Sequence, residues 1–174
     1  GYNVQVGVTA DQLIVATRVS QHTNDRDEFI PMMAAVQQAA ELFQAAGRED
    51  AVVGVLLADA GYASDTNLAA EGPDRLIALG SRRDQYRAAA AEPTEDAAPG
   101  GVTPRQAMRH RLRTSEGVAT YKRRDATVEP AIGNLKKIIS GLSRRGLQAA
   151  TAEINLAAAA FNLLKIYRVA ATGG

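Results

Sequence analysis

Apolar and polar residues alternate at the start of the chain. Residues 2–8 (YNVQVGV) follow this pattern, and a second β-rich run, residues 13–19 (LIVATRV), comes after a short polar segment. Two such runs separated by a polar turn predict an antiparallel β-hairpin. From residue 29 to residue 43, apolar residues recur every three or four positions, which predicts an amphipathic helix that Gly47 ends.

The middle of the chain predicts two short strands. Residues 52–58 are almost entirely apolar, which is typical of a strand covered on both faces, and residues 75–79 form a similar run. Between them, Asp65 can cap a short helix that extends to about Ala70. Residues 82–104 are rich in Ala, Pro, Gly and acidic side chains, and they predict a loop or a loosely ordered excursion.

The last third of the chain is predicted to be helical. The pattern is basic from Arg105, and one helix begins near Asp125 or Thr127, so that Pro130 falls in its first turn, where proline is tolerated. Residues 149–169 form a second helix that is apolar nearly all round and is therefore expected to be well buried. The buried stripe of the first helix consists of Val128, Ile132, Leu135, Ile139 and Leu142. Together the elements predict a mixed α/β fold with helices packed against a sheet.

Composition narrows the classes of protein that fit. With 174 residues and a hydrophobic fraction of 46%, the chain is long enough for one domain with a sizeable core. It has no Cys, which excludes disulfides and thiolate chemistry. No run of 18 apolar residues is present, so no membrane span is predicted. The chain lacks an initiator Met and opens as if inside a strand, so we expect it to be a piece of a longer protein.

The net charge of +1 conceals an uneven distribution. Residues 1–70 hold 3 Arg and Lys against 9 Asp and Glu, whereas residues 105–145 hold 11 against 3. A basic region beside an acidic one suggests a polyanionic partner and a site that needs carboxylates. Ordinary solvated faces would explain the same distribution, so charge alone leaves both interpretations open.

Asp59 is the first candidate for chemistry, because it directly follows the predicted strand at residues 52–58. Functional side chains of open α/β sheets gather at the carboxyl ends of strands, and Gly61 allows the backbone to turn sharply there. The alternative is that Asp59 only caps a turn through its own backbone, which the local pattern by itself favours.

Glu129 is the second candidate. It lies on a predicted helix, with Lys136 two turns later on the same face and the basic segment 121–124 (YKRR) upstream. One helix face therefore carries a carboxylate framed by cations. The alternative is an exposed glutamate with local ion pairs, each of which contributes little.

These two segments together resemble the bacterial insertion-sequence DDE transposases, which have an RNase H-like catalytic core. The matching motifs are Asp59-Ala60-Gly61-Tyr62 and the series Tyr121, Arg124, Glu129 and Lys136. The opening residues 1–8, the segment HTND at 22–25 and the ending FNLLKI at 161–166 are also similar to that family. The resemblance covers almost the whole chain, and only residues 82–115 match poorly.

The resemblance implies an α/β fold with an RNase H-like mixed sheet flanked by helices, incomplete at its N-terminus. Residues 1–174 would be the C-terminal part of the catalytic domain. Members of the family hold two divalent metal ions, Mg²⁺ or Mn²⁺, with three carboxylates, and such a pair stabilises both oxygens of an in-line phosphoryl displacement. Asp59 would be the second acid and Glu129 the third, and both would be metal ligands.

The resemblance also implies the partners. Tyr121, Arg124 and Lys136 would bind DNA phosphates beside the cleaved bond, with Arg123 and Lys137 next to them, and such contacts position the backbone without reading sequence. The parent protein would cut and join DNA at transposon ends and at the target. It would act as a homo-oligomer in the bacterial cytoplasm, associated with the nucleoid and not with a membrane.

Two departures from the family pattern affect this interpretation. Four residues separate Arg124 from Glu129 where the family usually has three, so Arg123 could share the role of Arg124. The first acid of the family lies on a strand before the hairpin, and neither Asp11, at the predicted hairpin tip, nor Asp25, in the following loop, fits that place. We therefore expect the chain alone to be inactive.

Two alternatives stay open. The chain could be a catalytically inactive DNA-binding or self-associating remnant of a transposase, which would keep the basic region and lose the metal site. It could also be an RNase H-like nuclease that takes its missing strand from another chain. Metal binding distinguishes these possibilities.

Overall fold

The structure, a computed structural model, describes residues 1–95, 97–139 and 141–172. Within these residues the strands are β1 (Asn3–Val8), β2 (Ile14–Ser20), β3 (Leu56–Ala58) and β4 (Arg75–Ile77). The α-helices are α1 (Phe29–Ala45), α2 (Asp65–Ala69), α3 (Arg82–Ala91), α4 (Pro104–Arg111), α5 (Ser115–Ile138) and α6 (Leu147–Ala171). The chain is thus a mixed α/β protein, as predicted.

Two compact units make up the chain. The hairpin unit comprises Gly1–Thr23 and Asp125–Gly174, and the central unit comprises Asn24–Arg124. Each unit has its own sheet of two strands, β1 with β2 and β3 with β4. Among the residues that the structure describes these are the sheets formed, and the single RNase H-like mixed sheet that the resemblance implies stays a prediction.

The hairpin unit confirms the predicted β-hairpin. β1 and β2 pair antiparallel, with Val4 opposite Val19 and a bulge at Gly7 and Val8. The turn contains Gln12, which has a positive φ of 61°. Helix α6 packs on β2, where Ile154 and Phe161 are buried.

The prediction that the last helix is well buried holds for one face of α6 only. The hairpin covers only one face of α6, because a two-stranded sheet is too narrow to enclose a helix. Several large apolar side chains of α6 therefore remain exposed: Leu156, Leu163, Leu164, Ile166, Tyr167 and Val169.

The predicted start of the helix that carries Glu129 is also wrong. Helix α5 begins at Ser115, so Pro130 lies in its interior and not in its first turn. Proline has no N–H group, which leaves the carbonyl of Ala126 without its usual partner four residues later. The side chain of Gln12 supplies a replacement, because its Nε2 donates to the Ala126 oxygen at 3.0 Å.

In the central unit, β3 and β4 are parallel, and Leu76 and Ile77 are fully buried at the middle of the core. β3 is shorter than the predicted strand at residues 52–58. The pairing with β4 covers only three residues, and Val52, at the start of the predicted run, is 73% exposed. β4 begins at Arg75, as predicted, and ends two residues earlier than expected.

Residues 82–104 differ from the predicted loop, because residues 82–91 form α3. Ser81 caps this helix by accepting from the Asp84 N–H, and a run of alanines favours it. The short helix α2 is capped by Ser64, and Asp65 is its first residue and not its cap. None of the helices in the described part of the chain is long and apolar enough to cross a membrane.

Candidate functional site

Asp59 lies directly after β3, where the backbone enters a 3-10 turn at Ala60–Tyr62. Its Oδ1 accepts the backbone N–H of Gly61 at 2.9 Å. The local alternative, in which Asp59 caps a turn, is therefore confirmed. This cap uses only one oxygen of the carboxylate. The side chain is 47% exposed, and its Oδ2 contacts a different partner.

That partner is Arg124, whose Nη2 lies 3.0 Å from Asp59 Oδ2. The Arg124 side chain is only 19% exposed, so most of its surface is shielded by the protein. Within the central unit, the fold thus brings together two motifs that are 65 residues apart in the sequence. Sequence spacing alone gave no reason to expect a direct ion pair between them.

Tyr121 does not occupy the place that a phosphate ligand needs. Its side chain is 2% exposed, and its hydroxyl donates to the carbonyl of Ala58, the residue just before Asp59, at 3.2 Å. The predicted DNA contact of Tyr121 is therefore corrected to a packing contact that joins α5 to the end of β3. Tyrosine suits such a buried position, because its ring adds apolar area to the core and its hydroxyl then needs a hydrogen-bond partner.

Asp25 is a residue of the site that the sequence did not identify as such. A Cβ atom placed on Gly61 would lie 3.0 Å from an oxygen of Asp25 and 3.0 Å from an oxygen of Asp59, so the two carboxylates converge over this glycine. The negative charges of both aspartates affect the pKa of Tyr62. Burial raises its pKa most strongly, and the negative charges of Asp25 and Asp59 raise the pKa further, while Arg124 opposes them.

The remaining predicted site residues are exposed. Glu129, Lys136 and Lys137 lie on the part of α5 that belongs to the hairpin unit, and Arg123 lies on the part in the central unit. Lys137 Nζ donates to the side chain of Asn134 at 3.3 Å. Asp59 and Glu129 fall in different units, so the structure does not show them as one site.

The donors near Asp59 suit Mg²⁺ or Mn²⁺ in type, because they are carboxylate oxygens and include no sulfur. Among the described residues there is no group of three or more His, Cys, Asp or Glu side chains that could hold a metal ion. The fit is therefore partial. Asp59 and Asp25 offer oxygens at one place, and the cation that neutralises Asp59 in the structure is Arg124.

A comparison with known families finds a match for part of the chain. Residues 99–167 match the family model of the transposase DDE domain. This segment includes α4, α5 and most of α6, and it contains Arg124 and Glu129 but not Asp59. The predicted resemblance to the DDE transposases is confirmed for this part of the chain. No curated protein and no solved structure matches the chain.

Proposed function

We propose that the chain is part of the catalytic domain of a DDE transposase of the insertion-sequence type, with an RNase H-like core. The observation that carries the proposal is the ion pair between Arg124 and Asp59. Arg124 lies inside the segment that matches the family, and Asp59 lies outside it. Their contact links the strand-exit motif to the matched helix, as a shared site requires.

In this proposal Asp59 and Glu129 are two of the three acids, and they hold Mg²⁺ or Mn²⁺. Such ions, when bound, stabilise the attacking and leaving oxygens of a phosphoryl transfer. The chain contributes orientation, because the N–H of Gly61 holds one oxygen of Asp59 and Arg124 holds the other. Arg123, Arg124, Lys136 and Lys137 would neutralise DNA phosphates, with the arginines able to make bidentate contacts.

Metal binding tests the proposal most directly. Titration of the chain with Mn²⁺ should show saturable binding that Asp59→Asn abolishes or weakens at least tenfold. The matched control is Asp50→Asn, because Asp50 is another exposed aspartate paired with an arginine at 3.0 Å, here Arg48. Equal affinity in the wild type and Asp59→Asn would contradict the assignment of Asp59.

Strand joining tests the catalytic role. In the full-length protein that contains this segment, Asp59→Asn and Glu129→Gln should each lower Mn²⁺-dependent joining of DNA by at least a hundredfold, while circular dichroism stays unchanged. Full activity in either variant would exclude that residue from the acid set. DNA binding without metal binding would instead favour the inactive DNA-binding remnant.

We also propose that the protein self-associates, as the resemblance implies, and that it works at the nucleoid. The exposed apolar face of α6 supports association between copies, since Leu156 and Leu163 lie two turns apart on it. Sedimentation equilibrium should show an oligomer that Leu156→Lys with Leu163→Lys disrupts. A monomer at all concentrations would contradict the proposal.

A further inference from the structure

We propose that Arg124 and a divalent cation compete for the same oxygen of Asp59, and that Arg124 transfers to a DNA phosphate when the cation binds. The inference rests on the proposed function and deepens it. It gives Arg124 two successive partners, a carboxylate of the protein and a phosphate of the substrate.

The hydrogen bonds of Asp59 show why the two cations would compete. Oδ1 is held by the N–H of Gly61 at 2.9 Å, and Oδ2 is held by Arg124 at 3.0 Å. A cation that approaches Asp59 from solvent therefore meets both oxygens already paired. The Asp59 side chain is 47% exposed, so it is open to solvent, and Arg124 is the cation paired with it.

The local charge favours this exchange. Asp25 and Asp59 converge over Gly61, and the guanidinium of Arg124 carries only one positive charge. Asp25 and Asp59 together would carry two negative charges toward a bound divalent cation, against which the arginine sets a single positive charge. The guanidinium loses little, because its fork of N–H donors fits a phosphate as well as a carboxylate.

The attachment of α5 allows the side chain to move alone. Tyr121 lies one turn before Arg124, is buried, and donates to the carbonyl of Ala58. This contact holds the helix against the end of β3. Arg124 can then change partner by rotating its own side chain, with no displacement of α5.

The first test is a Mn²⁺ titration of Arg124→Met. Removing the competitor should lower the Kd for Mn²⁺ roughly two- to fivefold, the range that a partly exposed ion pair can account for. Arg123→Met is the matched control, because it removes the same charge from the next position on the same helix without breaking the pair with Asp59. It should change the Kd less than Arg124→Met does.

The second test measures DNA binding with and without Mg²⁺. Arg124→Met should weaken binding to duplex DNA only when Mg²⁺ is present, because only then is the wild-type arginine released to a phosphate. Arg123→Met should weaken binding under both conditions. This difference is a readout that a purely structural role of Arg124 would not produce.

The outcomes separate this inference from the proposed function. If the wild type binds Mn²⁺ through Asp59 and Arg124→Met binds it equally or more weakly, the exchange is overturned and the proposed metal site stands. If Arg124→Met weakens DNA binding equally with and without Mg²⁺, the exchange is also overturned. If neither protein binds Mn²⁺, the metal assignment of Asp59 fails together with the exchange.

Discussion

At the scale of single residues, two side chains one helical turn apart on α5 have different roles. Tyr121 is buried and anchors the helix to β3, whereas Arg124 reaches the carboxylate that follows β3. Both belong to the motif that suggested phosphate binding. Tyr121 therefore positions the helix, and Arg124 forms the ion pair with Asp59.

The anchoring role of Tyr121 predicts the effect of Tyr121→Phe. The variant loses the hydrogen bond to the Ala58 carbonyl, which still accepts from the N–H of Ala78 at 3.0 Å, so we expect a loss of about 1 kcal/mol in the free energy of unfolding. DNA affinity should stay unchanged. Urea unfolding and a DNA titration measure both quantities. Tyr167→Phe, at an exposed tyrosine, should change neither. A loss of DNA affinity in Tyr121→Phe would restore the phosphate contact.

The pair of Asp74 and Arg111 predicts a dependence of stability on pH. Hydrogen bonds from the Arg111 guanidinium hold the pKa of Asp74 below its usual value, against the effect of burial. A lowered pKa means that the folded state favours the ionised form, so this stabilisation is present above about pH 4 and is lost as the pH falls through the lowered pKa. Both side chains are partly exposed, so the contribution is roughly 0.5–1 kcal/mol.

The expected result is that Asp74→Asn lowers the free energy of unfolding at pH 7 and that its difference from the wild type shrinks in acid. Arg111→Gln should remove the largest share of the same pH-dependent part, because the N–H and the charge of Arg75 also lower the pKa of Asp74. Urea unfolding between pH 2.5 and 7 measures these differences. A constant difference across that range would mean that the pair does not couple stability to pH.

At the scale of elements, the junction between α4 and α5 depends on a glycine. The N–H of Gly117 donates to the hydroxyl of Thr114 at 2.9 Å, and the chain passes very close to the end of α4. A Cβ on Gly117 would lie 1.9 Å from the carbonyl oxygen of Arg111, a backbone atom that cannot rotate away. The angle between the two helices therefore depends on the absence of a side chain.

We accordingly expect Gly117→Ala to destabilise the protein by roughly 1–3 kcal/mol, since the junction must shift to admit the methyl group. Gly133→Ala is the matched control on the same helix. A Cβ there meets no atom within 4 Å, so the higher helix propensity of alanine should stabilise the protein by roughly 1 kcal/mol. Thermal or urea unfolding should give opposite signs for the two variants. Equal effects would show that the close approach at Gly117 is not restrictive.

The contact between Gln12 and the interior of α5 predicts a coupling between two positions. Gln12→Ala removes the donor that replaces the missing N–H of Pro130. In a Pro130→Ala background the helix can supply that N–H itself, so the same change should cost less. A double-mutant cycle in urea should give a coupling of about 0.5–1 kcal/mol. Additive effects would show that the Gln12 contact does not compensate for the proline.

At the scale of the whole molecule, the sequence predicted the features that depend on local pattern. The hairpin and α1 were predictable because their periods of two and about 3.6 residues are directly visible. The exposure of α6 was not predictable. An apolar helix has the same sequence pattern whether other elements cover one of its faces or all of them. The start of α5 was predicted wrongly because of Pro130. Proline usually marks the first turn of a helix, but here the side chain of Gln12 donates the hydrogen bond that Pro130 cannot donate.

The candidate site shows the same limit. Asp59 was identifiable from its place after an apolar run, and the helical motif was identifiable from its charges. The contact of Asp59 with Arg124, the burial of Tyr121 and the approach of Asp25 arise from tertiary packing. These three contacts could not be predicted from the spacing of residues along the chain.

The basic region of the chain predicts how DNA affinity depends on salt. If Lys136 contacts one phosphate, Lys136→Ala should make the slope of log K against log salt shallower by about 0.9, because one fewer counterion is released. Arg48→Ala, which removes an exposed cation outside the basic region, should leave the slope unchanged. Fluorescence anisotropy over a range of salt concentrations measures both slopes. An unchanged slope in Lys136→Ala would remove that contact.

The close approach at Gly61 has a consequence in genetic terms. Every single-base change in a glycine codon that gives another amino acid adds at least a Cβ atom. At Gly61 that atom would fall 3.0 Å from an oxygen of each of two aspartates, so with each such change both carboxylates have to yield by a few tenths of an ångström. One codon therefore affects the arrangement of both acids, and in a library of random point mutants it should tolerate replacement by alanine less well than the codon for Gly133, where a Cβ atom meets nothing within 4 Å.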